Sequence, residues 1–136
     1  MVDNVPPTQA FEAIKTDAAA HLVDVRTSAE WTFIGLPDFS GANKQPLTIS
    51  WQVYPTMQVN QAFIDDMRKA GLTPDHHIYF LCRSGGRSMA AALAAQAAGF
   101  PHVYNVADGF EGNPDHKGHR GTVAGWKASE LPWRQS

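Results

Sequence analysis

One short stretch of this chain combines residue types that do chemistry: Cys82-Arg83-Ser84-Gly85-Gly86-Arg87, with Ser88 next. A cysteine attacks as the thiolate, and thiolate is favoured where backbone N–H groups and cations converge. Gly85 and Gly86 permit a turn tight enough to aim successive N–H groups at one point, a nest for an anion. A helix beginning near Arg87 would add its unpaired N–H groups and the positive end of its dipole. Arg83 and Arg87 bring two guanidinium groups. The chemistry expected of such a loop is covalent. Cys82 attacks, and the donors that hold its charge also hold an anionic substrate or an anionic intermediate on the sulfur. The plainer alternatives are that Cys82 is a small buried hydrophobe at a strand end, and that Arg83 is a solvated charge turned away from the loop.

The elements around the loop decide between these. Ile78-Tyr79-Phe80-Leu81, just before Cys82, is apolar on both faces, as a central parallel strand requires. Ser88 to Ala98 reads as an alanine-rich helix stopped by Gly99 and Pro101. Cys82 therefore sits at the carboxyl end of a strand, where open α/β sheets bind ligands. Elsewhere the same alternation repeats. Thr8 can cap a helix to about Ala20, and Leu22-Val23-Asp24-Val25 reads as a buried strand. Thr27 and Glu30 have the spacing of a capping box. From Gly35 to Gln58 the prolines Pro37, Pro46 and Pro55 and Gly41 punctuate loops around one short strand. Asn60 is placed to cap a helix presenting Phe63, Met67 and Ala70, with Gly71 at its end. Val103-Tyr104-Asn105-Val106 is a last strand, and a short helix is expected at Gly125 to Ser129. The predicted fold is α/β, a five-stranded, mainly parallel sheet with helices on both faces.

The 136 residues fit one domain, with 43% hydrophobic and 18% charged residues as in a globular protein. A net charge of −2 gives no electrostatic case for nucleic-acid or membrane partners. No apolar run approaches the ~20 residues of a bilayer span, and residues 1–20 lack the apolar core of a signal peptide. One cysteine excludes an intrachain disulfide and a multi-cysteine zinc site, and places the chain in the cytoplasm unless an export segment has been removed.

The ordered motifs resemble the rhodanese-like sulfurtransferase family from about Thr8 to Trp133. Leu22-Val23-Asp24-Val25-Arg26 with Glu30-Trp31 looks like its opening strand motif, and Pro37 through Gly41-Ala42 to Pro46-Leu47 resembles the next strand region. Cys82 to Ser88 looks like its active-site loop, Val103 to Gly109 like its closing strand and glycine turn, and Trp126 with Leu131-Pro132-Trp133 like its tail. The resemblance implies one rhodanese-like domain, residues 1–136 with a core of about 8–133, in which Cys82 accepts a sulfane sulfur as a persulfide. The donor would be thiosulfate or a related anionic sulfur compound, and the acceptor a thiol, cyanide or a protein. Arg83, Ser84, Gly85, Gly86, Arg87 and Ser88 would bind substrate, while Asp24, Arg26 and Glu30 would support the site through charge pairs and hydrogen bonds. No cofactor and no metal are implied. The chain departs from the family pattern in lacking a histidine within Leu36 to Gly41, in having Glu130 where glycine is common, and in an insertion at about 113–125.

That insertion carries Asp115, His116, Lys117, His119 and Arg120, and reads as a solvated surface loop or a flap bringing positive charge toward Cys82. His116 and His119 alone fall short of a zinc ligand set. His76 and His77 are expected to face solvent, and Trp31, Trp51, Trp126 and Trp133 to anchor the core. Two other functions compete. Cysteine phosphatases and arsenate reductases also use a thiolate in an anion loop, but with arginine at the sixth position after cysteine. Here that position is Ser88 and Arg87 is the fifth, a smaller cup suited to a single sulfur atom. The other competitor is a non-catalytic binding module, against which the intact Cys82 loop argues.

Overall fold

The computed structural model describes residues 2–53 and 56–135, so Pro55 lies outside the described residues. In chain order the elements are β1 (Asp3–Val5), α1 (Pro7–Thr16), β2 (Ala20–Asp24), α2 (Ser28–Phe33), β3 (Leu36–Pro37), a 3-10 turn (Ser40–Ala42), β4 (Leu47–Thr48), β5 (Gln52–Val53) and β6 (Gln58–Val59). They continue as α3 (Phe63–Lys69), β7 (His77–Leu81), α4 (Gly86–Ala97), β8 (Val103–Val106) and β9 (Trp133–Arg134). Five strands form one sheet in the order β1-β8-β7-β2-β4, every neighbouring pair parallel. This is the expected α/β sheet. Among the described residues, no helix is long and apolar enough to cross a membrane.

The central strand β7 is buried from Ile78 to Leu81, which is why its sequence is apolar without alternation. One face packs Ile78 and Phe80 against Phe63 and Met67 of α3 and Ala91, Ala92 and Ala95 of α4. The alanines of α4 carry no bulk, so the helix axis can approach the sheet. The other face packs Leu22, Tyr79 and Leu81 under Ala10 and Ile14 of α1, with Phe39, Phe110 and Trp126 closing that layer. Trp126 is fully buried, with Phe11 and Phe39 presenting edges to it. Helices thus cover both faces.

The helix ends follow local chemistry. The predicted capping box of α2 is present in both directions between Thr27 and Glu30. Both α3 and α4 end in paired reverse bonds, Gly71 N–H to Arg68 O with Leu72 N–H to Met67 O, and Gly99 N–H to Gln96 O with Phe100 N–H to Ala95 O. Helix α1 has no such glycine. Instead the Lys44 ammonium donates to the carbonyls of Ile14, Asp17 and Ala20 at 2.6–2.8 Å, closing the α1–β2 junction from 24 to 30 residues away.

Several expectations require correction. The sheet begins at Asp3, before the expected start at Thr8. Strand β1 was not anticipated because only Val5 of its three residues is buried, and an edge strand of that length has no apolar pattern. Helix α1 starts at Pro7, behind Pro6, so Thr8 lies inside it, and it stops at Thr16. Asn60 lies before the Ala62 cap of α3, its Oδ1 accepting from Ala62 N–H. The described residues of 35–59 hold four two-residue strands, where one was expected between Gly35 and Gln58. Gly125 to Ser129 forms turns, not a helix, bounded by positive φ at Gly125 and Glu130. His76 and His77 are half-buried, against His21 and His102 respectively. Trp133 is 39% exposed, with the Lys127 ammonium 4.0 Å above its ring, and so is no core anchor.

Candidate active site

Cys82 follows β7 directly and is 1% exposed. Gly85 turns the chain with φ +114°, a conformation that favours glycine, and serves as the N-cap of α4. The turn brings the Gly85 N–H to 3.1 Å from Cys82 Sγ. From the first turn of α4, the Ser88 hydroxyl lies 3.2 Å from the same sulfur. The helix begins at Gly86, so its N-terminal end faces the loop, as expected. A thiolate here meets a backbone donor, a hydroxyl donor and the positive end of a helix.

Ser88 is fully buried, and its hydroxyl proton has three acceptors within reach: Cys82 Sγ, the Gly85 carbonyl and Asn105 Oδ1. Asn105, on β8, also donates from Nδ2 to the Gly85 carbonyl at 3.2 Å and to Asn4 Oδ1 on β1 at 2.8 Å. A chain of side-chain amides thus runs from the sheet edge to the sulfur. Neither asparagine was singled out from sequence. The available signal was a polar residue inside the apolar strand Val103–Val106, since a buried amide needs partners.

The rear of the loop is pinned by backbone alone. Phe110 N–H donates to Cys82 O at 2.8 Å, while Glu111 and Gly112 N–H both donate to Arg83 O, at 3.0 and 3.1 Å. Gly109 allows this contact, being packed directly on the Cys82 and Arg83 carbonyls. The insertion springs from this glycine turn. Asp115 ties it together, accepting from Lys117 and His119 N–H and from the Thr122 hydroxyl, while Arg120 donates to the Gly112 carbonyl at 2.6 Å.

The expected supporting residues come together in pairs. Arg26 grips Asp24 with two bonds of 2.9 and 2.7 Å, donates to the Gly35 carbonyl and lies over the Phe110 ring, with both charged side chains fully buried. Arg87 grips Glu30 at 2.7 and 2.9 Å. Burial pushes the Glu30 pKa up, but the Arg87 hydrogen bonds and charge, with Thr27 N–H and Arg26, outweigh it and hold the carboxyl below its ordinary value. The Arg87 value is raised in turn, first by those bonds, against the opposing effect of burial. Arg83 and Ser84 point outward and are exposed. The Arg83 Nε lies 3.5 Å from Glu111, a largely buried carboxylate that sequence reasoning passed over.

A family model described as the STR4 middle domain matches residues 4–136. The chain is 26% identical to a rhodanese-like domain-containing protein 4 of Arabidopsis thaliana over 91% of its own length and 24% of that protein. The chain belongs to this family of rhodanese-like domains. An uncharacterized protein of Rickettsia rickettsii is 39% identical to this rhodanese-like domain over 98% of both chains. Among solved structures, Rv0390 from M. tuberculosis superposes with a TM-score of 0.89 at 41% identity, covering 99% of this chain and 98% of the other. The polysulfide-sulfur transferase homodimer of Wolinella succinogenes shares the fold at 20% identity and TM-score 0.70, over 99% and 80% of the two chains. So does RPA3614 of Rhodopseudomonas palustris, described as a possible tyrosine phosphatase, at 17% identity and TM-score 0.62, over 98% and 85%.

Proposed function

We propose that this rhodanese-like domain is a sulfurtransferase in which Cys82 takes a sulfane sulfur from thiosulfate or a related donor and passes it to a thiol, cyanide or a protein. The observation that carries the reading is the cup around Cys82 Sγ, with the Gly85 N–H at 3.1 Å and the Ser88 hydroxyl at 3.2 Å. In the first step the thiolate attacks the outer sulfur of the donor. With thiosulfate, a new S–S bond forms on Cys82, the sulfur–sulfur bond of the donor breaks, and its electron pair leaves on sulfite. In the second step the acceptor attacks the outer sulfur, and the pair returns to Cys82 as thiolate. No net redox change and no cofactor is needed.

The loop Arg83–Ser88 serves both steps. Its donors hold charge on Cys82 first and on the outer persulfide sulfur next, so the stabilisation follows the moving charge. Arg83, Ser84, Gly85 and Gly86 meet the substrate from the loop's outer side, and the buried Ser88 meets it only through the transferred sulfur. Arg87, held by Glu30, shapes the loop from its flank. That commitment argues against phosphatase chemistry, where an arginine must reach over the loop to clasp a tetrahedral anion. A cytoplasmic setting suits a site that depends on one reduced cysteine.

Intact-mass spectrometry after incubation with thiosulfate tests the proposal. The wild type should gain one sulfur atom, discharged by cyanide, and Cys82→Ser should gain none. A reduced, alkylatable Cys82 that takes sulfur from neither thiosulfate nor a hydropersulfide, or faster turnover of an aryl phosphate, would overturn it.

A further inference from the structure

The charges around Cys82 are arranged in a way the fold does not require. Each of the three guanidinium groups in and beneath the loop has a carboxylate of its own: Arg26 has Asp24, Arg87 has Glu30, and Arg83 has Glu111. The first two pairs are buried or nearly so and shape the loop. The third differs. The Arg83 side chain is 47% exposed, while Glu111 is only 10% exposed and is brought beside it by the backbone bond from its own N–H to Arg83 O. Glu111 Oε1 has no hydrogen-bond partner among the described residues. A buried carboxylate left without full hydrogen bonding costs stability. It does, however, oppose the most exposed of the three guanidinium groups, one residue from Cys82.

The neighbouring cations are engaged with other partners. Lys127 sits over Trp133 and Phe110 and donates to the Ile34 carbonyl, with Glu111 the carboxylate acting on it most strongly. Arg120 donates to the Gly112 carbonyl. Asp108, exposed at the turn beside Gly85, adds a further negative charge to the surface depression shared with Ser84 and Asn4.

The consequence bears on the donor. When a thiolate meets thiosulfate, three negative charges gather in the cup. When it meets a hydropersulfide R–S–SH, the encounter carries one. Cys82 then attacks the outer sulfur, the S–S bond of the donor breaks, and R–S⁻ leaves with the electron pair. A cup whose own guanidinium groups are each opposed by a carboxylate handicaps the first encounter far more than the second.

Resting on the sulfurtransferase reading above, we propose that Glu111 sets donor class in this site: by neutralising Arg83 it favours neutral or singly charged hydropersulfides over dianionic thiosulfate. Glu111 acts through Arg83 and is a positioning and specificity residue, not a catalytic one.

The test compares two donors, thiosulfate and 2-hydroxyethyl hydropersulfide, in wild type, Glu111→Gln and Glu111→Gln/Arg83→Gln, following persulfide formation on Cys82. The glutamine is near-isosteric and removes only the charge. We expect kcat/KM for thiosulfate to rise roughly fivefold in Glu111→Gln and to become more salt-sensitive, with the hydropersulfide changed less than about twofold. Adding Arg83→Gln should return the donor ratio to the wild-type value, the signature of a coupled pair. Equal changes for both donors, or a thiosulfate rate that does not move, would overturn the inference while leaving the sulfurtransferase reading intact. Loading of wild-type Cys82 by neither donor would overturn both.

Discussion

A β-carbon at Gly109 would lie 2.5 Å from the carbonyl oxygen of Cys82 and 2.6 Å from the carbonyl carbon of Arg83. Both neighbours are backbone, so nothing can swing aside, and φ at Gly109 is +64°. Gly109→Ala should displace the loop, costing about 2–4 kcal/mol by clash and strain together. Sulfur loading should fall by more than about tenfold. Gly118→Ala is the control, with φ +79° and nothing within 4 Å. It should cost ~1 kcal/mol from backbone conformation and leave loading unchanged. Urea denaturation and intact-mass kinetics on the two variants check this, and equal effects would refute it.

Ser88→Ala removes the one hydroxyl proton that Cys82 Sγ shares with the Gly85 carbonyl and Asn105 Oδ1. Loss of one such bond is worth about 0.5–1.5 kcal/mol. Alkylation of Cys82 by iodoacetamide at neutral pH should therefore slow roughly threefold to tenfold. Unchanged alkylation would mean that the Gly85 N–H and the helix end suffice.

The Glu30–Arg87 pair gives a pH dependence whose sign is fixed. Arg87 and its companions depress the Glu30 pKa despite burial, so the folded state binds the proton more weakly than the unfolded chain. The stability it contributes is complete above the ordinary carboxylate value and is lost as pH falls through the depressed one. Glu30→Gln should lose about 1–2 kcal/mol near neutrality, from a half-broken capping box and a broken ion pair, and flatten the acid limb of the stability curve. Denaturation midpoints from about pH 3 to about pH 7 provide the measurement.

His21 predicts a second limb at higher pH. Burial, then His76 and Lys44, lower its pKa from the ordinary 6.5, against a smaller opposing effect of Asp17. The unfolded chain takes up this proton first, so stability should decline as pH drops below 6.5 and level off beneath the lowered value. In His21→Gln that decline should be reduced. An unchanged slope between about pH 5.5 and about pH 7.5 would assign it to other groups.

Asp24→Asn would leave the fully buried Arg26 guanidinium without its counter-charge. Removing one partner of such a pair costs about 3–5 kcal/mol. The thermal midpoint should fall by more than in any other variant above. A loss no larger than that of Glu30→Gln would show that the Gly35 carbonyl and the Phe110 ring carry the guanidinium between them.

What could be read from sequence was local. The Cys82 loop is legible because the cysteine, glycines and serine that meet in space lie within seven consecutive positions, 82 to 88. Strands β2, β7 and β8 announce themselves by apolar runs, and the capping box by its spacing. The rest depends on distance along the chain. Glu30 was recognised as a cap, but not as the partner of Arg87, 57 residues on. Asn105 and Asn4 are 101 residues apart. Lys44 reads as an ordinary surface lysine until α1 is seen to lack a capping glycine. The two-residue strands between 35 and 59 come from pairing with whatever lies alongside, and Pro37 obscured one of them. Glu130 shows the reverse case. Its φ of +59° explains why glycine was expected there, although the sequence carries glutamate.

The amide chain from Asn4 through Asn105 to Ser88 has a consequence for biosynthesis. During translation Cys82 emerges well before Asn105, Gly109 and Glu111, at a ribosomal pace of ~5–20 residues per second. Until those residues arrive, the helix of Ser88 has no strand β8 to pack on, and long-range parallel pairing is slow to form. The newborn thiol is therefore an ordinary exposed cysteine for a period of seconds, open to passing oxidants. In the folded domain, with β8 and the Gly109 turn in place, it is 1% exposed. Residues on either side of the loop in the sequence, Asn4 before it and Asn105 after it, jointly decide when the sulfur is sheltered.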